Sequence, residues 1–178
     1  MSEMKKLLPD LSLNSIYELT PEMLREMGVC LLLMDLDNTL SPYHIHEASA
    51  ELKAWVSSLM DAGIEPFILS NNKGQRPALF AGQLGIEYIG RAKKPSVKAL
   101  GYVLEKKGIR PEHAAVIGDQ IFTDTLCARR AGTMSVLVRP ICITRNPLLA
   151  LRYWAETPFR LAAGRKNCGK HKELRQNI

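Results

Sequence analysis

Cysteine is scarce in this chain, and the four present, Cys30, Cys127, Cys142 and Cys168, form no C-x-x-C pair. That spacing excludes a zinc finger and a disulfide framework, and it fits a reducing, cytoplasmic setting. Cys30 is expected in a strand and Cys127 in a helix, each as a small buried hydrophobe. Long apolar runs are also missing: none approaches the ~20 residues that span a bilayer. The opening Met1–Lys6 has no apolar signal region, so the chain is expected to be neither secreted nor membrane-spanning. Repeats and low-complexity segments are absent. At 178 residues the chain suits one buried core better than two. A single domain over 1–178 is expected, with an N-terminal arm (1–24), a core of about 25–140 and an extension (141–178).

Negative charge is what the extension lacks. From Arg139 onward there are nine Lys or Arg against two acids, whereas the preceding part is nearly neutral, so the net +6 is C-terminal. Such a segment either contacts an anionic partner or is simply a solvated tail.

What is present is alternation of apolar runs with helix-period segments, the pattern of an α/β sheet. Val29–Met34 is the first strand. Leu52, Trp55, Val56, Leu59 and Met60 recur at helical spacing before Gly63. Strands follow at Glu65–Leu69, Ile86–Ile89, Ala114–Ile117 and Met134–Val138, five in all. Between them lie helices at Gln75–Leu84, closed by Gly85, at Thr123–Arg130, stopped near Gly132, and a third opened by Pro95 in its first turn and stopped at Gly108. Thr20-Pro21-Glu22 starts a short helix, while Leu7, Leu8, Leu11, Ile16 and Leu19 pack as the arm.

The first strand runs directly into Asp35-Leu36-Asp37-Asn38-Thr39. Two carboxylates one residue apart at a buried strand end repel each other unless a cation offsets them. Ser70-Asn71-Asn72, Lys94 and Gly118-Asp119 stand at or near the ends of later strands, and Asp124 follows about a turn on. In a parallel sheet such positions converge on one crevice. A carboxylate can accept a phosphoryl group covalently, so Asp35 is a candidate nucleophile, and Asp37 is spaced to act as general acid and base. Asp119 and Asp124 complete an oxygen-only cluster suited to Mg²⁺. Lys94 offers a compact positive charge to phosphate, and Ser70 a hydroxyl beside nearby amides. Singly, each Asp is equally at home as a cap or turn residue. His44 and His46 flank Ile45 on a loop and are read as solvated rather than as ligands, and Arg129 and Arg130 as partners of a helix dipole.

With motifs Asp35-Leu36-Asp37-Asn38-Thr39, Leu69-Ser70-Asn71-Asn72, Lys94-Pro95 and Gly118-Asp119-Gln120-Ile121-Phe122-Thr123-Asp124 in order, the sequence resembles the haloacid dehalogenase (HAD) superfamily. The resemblance implies a Rossmann-like three-layer sandwich around a mostly parallel sheet. It implies Asp35 as nucleophile, Asp37 as acid/base, Ser70, Asn71 and Lys94 as the phosphate clamp, and Asp35, the Asp37 carbonyl, Asp119 and Asp124 around Mg²⁺. An acid at Asp37 marks phosphatases within that superfamily. Leu7-Leu8-Pro9, Ser15-Ile16-Tyr17, Arg91-Ala92-Lys93-Lys94-Pro95 and Gly118-Asp119-Gln120 are similar to the YqeG-like subfamily of bacterial phosphatases, although Pro42-Tyr43 stands where that subfamily tends to show Pro-Trp.

Neither the stretch from Leu40 to Phe67 nor that from Asn72 to Lys94 can hold a cap domain. An open site suits a bulky substrate: a lipid phosphate, with phosphatidylglycerophosphate the leading choice by resemblance, or a phosphoprotein. Leu148, Leu149, Leu151, Trp154 and Phe159, interleaved with Arg145, Arg152 and Arg160, could lie at the anionic inner face of a membrane, but Pro158 breaks the pattern and a helix packed on the core is the plainer reading. The rival function is a nucleic-acid or ribosome-binding protein using the basic tail.

Overall fold

A computed structural model describes residues 7–142, 153 and 155–162. The expectations for Arg145, Leu148, Leu149, Leu151, Arg152 and Trp154 lie outside the described residues, as does the basic run beyond 162.

The sheet has six strands rather than five. They are β1 (Leu11–Ser12), β2 (Leu31–Met34), β3 (Glu65–Leu69), β4 (Glu87–Ile89), β5 (Ala114–Gly118) and β6 (Met134–Leu137), in the order β1-β6-β5-β2-β3-β4. All five pairings are parallel. The extra strand comes from the arm: Leu11 pairs with Val136 and Ser12 with Leu137. Asp10 fixes this edge, its carboxylate accepting from the Ser135 N–H and hydroxyl and pairing with Arg129 at 2.5 Å. Arg129 is therefore the arm's counter-charge as well as a last-turn cation.

Helices cover both faces. Leu32 and Met34 of β2 face one core with Ile68 and Ile117. That core is closed by α1 (Pro21–Glu26), α2 (Ala50–Asp61) and α3 (Arg76–Leu84) through Leu24, Leu52, Trp55, Val56, Leu59, Phe80 and Leu84. Leu31 and Leu33 face the other, closed by α4 (Lys98–Lys107) and α5 (Leu126–Ala131) through Leu100, Val103, Leu104, Cys127 and Ala128. The alternation along β2 is the period-2 pleat of a strand buried on both sides. Each fully buried Leu contributes about 1.5–3 kcal/mol of hydrophobic stabilisation. Trp55 also satisfies its indole N–H on the Leu19 carbonyl at 3.0 Å, tying the arm to α2.

Three local expectations are corrected. Pro95 lies ahead of α4, whose N-cap is Val97, and belongs to the turn that carries Lys94. Cys30 sits one residue before β2 and is exposed, whereas Cys127 is buried as expected. The helix expected from Thr123 begins earlier, as a π-helical turn over Ile121–Thr125 that runs into α5. Gly85 and Gly132 do end their helices in left-handed geometry. No cap domain interrupts the described sheet connections, and among the described residues no helix is long and apolar enough to cross a membrane.

Candidate active site

β2 lies between β3 and β5, so the loops after these three strands meet above one sheet end, where parallel sheets bind ligands. There a cleft of about 760 Å³ is lined by, among others, Asp35, Asp37, Tyr43, Ser70, Asn71, Lys94 and Asp124. Asp119 is fully buried beneath it.

Lys94 is the hub. Its Nζ lies 2.7 Å from Asp35 Oδ1 and 2.6 Å from Asp124 Oδ1, so it touches the candidate nucleophile directly. Its main chain is fixed from both sides by Asn71, whose Oδ1 accepts from the Lys94 N–H at 2.7 Å and whose Nδ2 donates to the Lys94 carbonyl at 3.0 Å. The Asn71 side chain is thereby engaged in holding Lys94. The Ser70 hydroxyl is buried and accepts from the Asn72 N–H at 3.1 Å, which leaves its own proton to donate.

Asp35, Asp119 and Asp124 each bring a carboxylate oxygen within 4.8 Å of the others. Asp119 accepts from the Thr39 hydroxyl at 3.2 Å and from the Tyr153 hydroxyl, and its carbonyl accepts from Arg160. Asp124 Oδ2 accepts from the Gln120 N–H at 3.2 Å across the π-helical turn. Gly118 is required beneath it, because a methyl at that position would overlap the Asp124 carboxylate.

Three buried acids crowd one buried ammonium, and the imbalance shows in the proton affinities of Asp35 and Asp119. Burial pushes Asp35 up to about 8; the Lys94 ammonium pulls it down, while Asp124 and Asp119 push it further up. Burial likewise pushes Asp119 up to about 7, with Asp124 adding and the Tyr153 and Thr39 hydroxyls opposing. Burial alone would lower Lys94, but Asp124 and Asp35 outweigh it and hold it above the ordinary lysine range. A hard divalent cation with oxygen ligands supplies the missing positive charge, so the donor set fits such an ion.

The Asp37 carboxylate stands apart from this triad. Its Oδ1 lies 2.7 Å from Arg76 Nε and its Oδ2 accepts from Asn72 Nδ2 at 2.8 Å. The side chain expected among the metal ligands is thus taken up by Arg76 and Asn72 and is not part of the acidic cluster. His44 and His46 are exposed and join no acidic cluster among the described residues.

Sequence reasoning missed Arg76, Asn72 as a partner of Asp37, Thr39, Tyr153 and Arg160. For Arg76 a signal existed: it opens α3 just before Pro77, where a cation opposes the helix dipole. Pro158 also proves compatible with helix, since 155–162 is helical. That segment packs on the Asp119 loop, with buried Glu156 accepting from the Phe122 N–H at 3.0 Å and Phe159 edge-on to Phe122.

A family model described as HAD-hydrolase-like matches residues 91–140. The chain is 38% identical over 137 residues to the probable phosphatase YqeG of Bacillus subtilis (strain 168), covering 77% of this chain and 80% of that protein. Among solved structures, the cobalt-bound deoxy-D-mannose-octulosonate 8-phosphate phosphatase of Haemophilus influenzae is similar with a TM-score of 0.53 at 20% identity, over 63% of this chain and 69% of that one. The 3-deoxy-D-manno-octulosonate 8-phosphate phosphatase of Yersinia pestis gives 0.51 at 16%, over 72% of each. At these identities the two structures speak for the fold alone.

Proposed function

The chain belongs to the YqeG-like phosphatases of the HAD superfamily, and from that premise we propose that it hydrolyses a phosphomonoester with Mg²⁺ through an aspartyl-phosphate on Asp35. The observation that carries the reading is the contact of Asp35 with Lys94 inside the triad of Asp35, Asp119 and Asp124. Mg²⁺, held by those three carboxylates and the Asp37 carbonyl, would neutralise phosphoryl oxygens and hold them in line.

Asp35 attacks phosphorus as the bond to the alcohol oxygen breaks, and Asp37 gives that oxygen its proton. Water then attacks the aspartyl-phosphate, Asp37 takes the water's proton, and the bond to Asp35 breaks to release orthophosphate. Lys94 offsets charge on the nucleophile and on the phosphoryl group. The Ser70 hydroxyl and the Asn71 main-chain N–H serve the remaining oxygens.

For substrate we favour a lipid phosphate in a cytoplasmic setting, at the inner face of a membrane, with phosphatidylglycerophosphate first. Support comes from the open cleft, from Tyr43 standing 66% exposed at it, from exposed Ile45 and Ile141 on an adjoining groove, and from the basic C-terminal excess. The test is phosphate release with Mg²⁺ from phospholipid, sugar, nucleotide and phosphopeptide substrates, with Asp35→Asn as the blank. Release from phosphatidylglycerophosphate well above the other classes is expected. Preferential release from phosphopeptides would replace the lipid, and salt-sensitive RNA binding without any release would revive the tail-centred alternative.

A further inference from the structure

Arg76 is only 6% exposed, and its fork makes two kinds of contact. Nε bonds Asp37 Oδ1 at 2.7 Å, while one terminal nitrogen donates to the carbonyls of Pro42 at 2.8 Å and Ser41 at 3.4 Å. The guanidinium carbon lies 4.6 Å from the centre of the Phe80 ring on the same helix, which locks the side chain's path. Burying a guanidinium at a helix N-terminus is unfavourable on both counts, desolvation and dipole. The opposing charge it meets is Asp37, and the carbonyls it meets belong to the loop that follows Asp37 in the chain.

We infer that Arg76 is the positioning residue for proton transfer, holding the Asp37 carboxylate and the Ser41–Pro42 loop as one rigid unit; the inference rests on Asp37 being the acid/base. Asn72 fixes the second oxygen of Asp37, so the plane of the carboxylate is set from two sides. Each oxygen keeps a further lone-pair direction, which is where a proton is taken or given. Pro42 leads into Tyr43, so the same guanidinium fixes the backbone that presents the cleft's exposed aromatic residue. Arg76 does not line the cleft, and its action is therefore on Asp37 rather than on substrate.

The test separates leaving groups. Dinitrophenyl phosphate expels an anion that needs no proton, whereas phenyl phosphate expels phenolate, whose conjugate acid has a pKa of about 10. First-turnover rates with Mg²⁺ are compared for wild type, Arg76→Gln, Arg76→Lys and Asp37→Asn. Arg76→Gln is expected to slow phenyl phosphate about 100-fold and dinitrophenyl phosphate less than about fivefold, with KM within about threefold for both. Arg76→Lys, which keeps the charge and loses the fork, is expected to show a split of about tenfold. Equal losses on both substrates, a change confined to KM, or no change would overturn the inference in favour of a merely structural arginine. If Arg76→Gln melts below the assay temperature, Arg76→Lys is judged by the same ratio, and the absence of a split there overturns it equally. A split in Asp37→Asn without one in the Arg76 variants sinks the positioning role alone. No split in Asp37→Asn sinks the acid/base reading and the inference with it.

Discussion

Asp35 and Asp37 are separated by one residue and live in opposite electrostatic surroundings. Asp35 shares the Lys94 ammonium with Asp124 and has a third buried acid, Asp119, close by, whereas Asp37 has a guanidinium to itself and an amide on its second oxygen. The first neighbourhood is short of positive charge and the second is balanced. Strand alternation would put both on one side, but β2 ends at Met34 and the chain turns beyond it, so the Asp35 carboxylate meets Lys94 while that of Asp37 meets Arg76 at the start of α3. Charge deficit suits a site that recruits a cation, and charge balance suits a carboxylate that must exchange a proton at a fixed place.

The largest effect that can break this contrast is at the proposed nucleophile. Asp35→Asn should lower phosphate release by roughly 10⁴-fold or more, yet raise the melting temperature of the ion-free protein because one of the crowded acids is gone. Loss of activity together with a lower melting temperature would contradict the charge-deficit account. Next is Gly118→Ala, whose added methyl displaces Asp124. Mg²⁺ affinity, read by calorimetry, should weaken by about 10–100-fold, the range seen when the groups around a metal site are disturbed.

A smaller effect sharpens the same point through pH. In the folded, ion-free protein Asp35 is raised to about 8 and Asp119 to about 7, against an unfolded value of about 3.9. Between those limits the folded state binds more protons than the unfolded chain, so stability falls as pH rises. The melting temperature should drop by several degrees, on the order of 5 °C, from pH 5 to pH 8. Millimolar Mg²⁺ should flatten the slope, and a rising melting temperature in the ion-free protein would refute it. Smallest is Asn71→Ala, which leaves the buried main chain of Lys94 without its two partners and should cost about 1–3 kcal/mol in denaturant unfolding.

Much of this was legible beforehand, for identifiable reasons. The central strands are buried on both faces and read as continuous apolar runs, and Gly85 and Gly132 mark helix ends because left-handed geometry favours glycine. The acids were legible because they stand where such strands stop. β1 was not, since two residues are too few to show any period, and its stability comes from Asp10 and β6 rather than from its own pattern. Arg76 was legible as an out-of-place cation at a helix start, but its partner Asp37 was not, because 39 residues separate them. Pro95 was misread because proline suits both a helix start and the turn before one. Tyr153 and Arg160 reach Asp119 from 34 and 41 residues away, a juxtaposition that no local pattern encodes.

The pairing of β1 with β6 joins groups 125 residues apart, Asp10 with Ser135. Leu11 and Ser12 thus leave the ribosome early but must wait for β6 before they can dock. Without β1 the outer flank of β6 is an open template for a foreign strand. A version shortened to begin after Asn14 would keep that flank bare for good, and self-association rather than lost chemistry should be its first symptom.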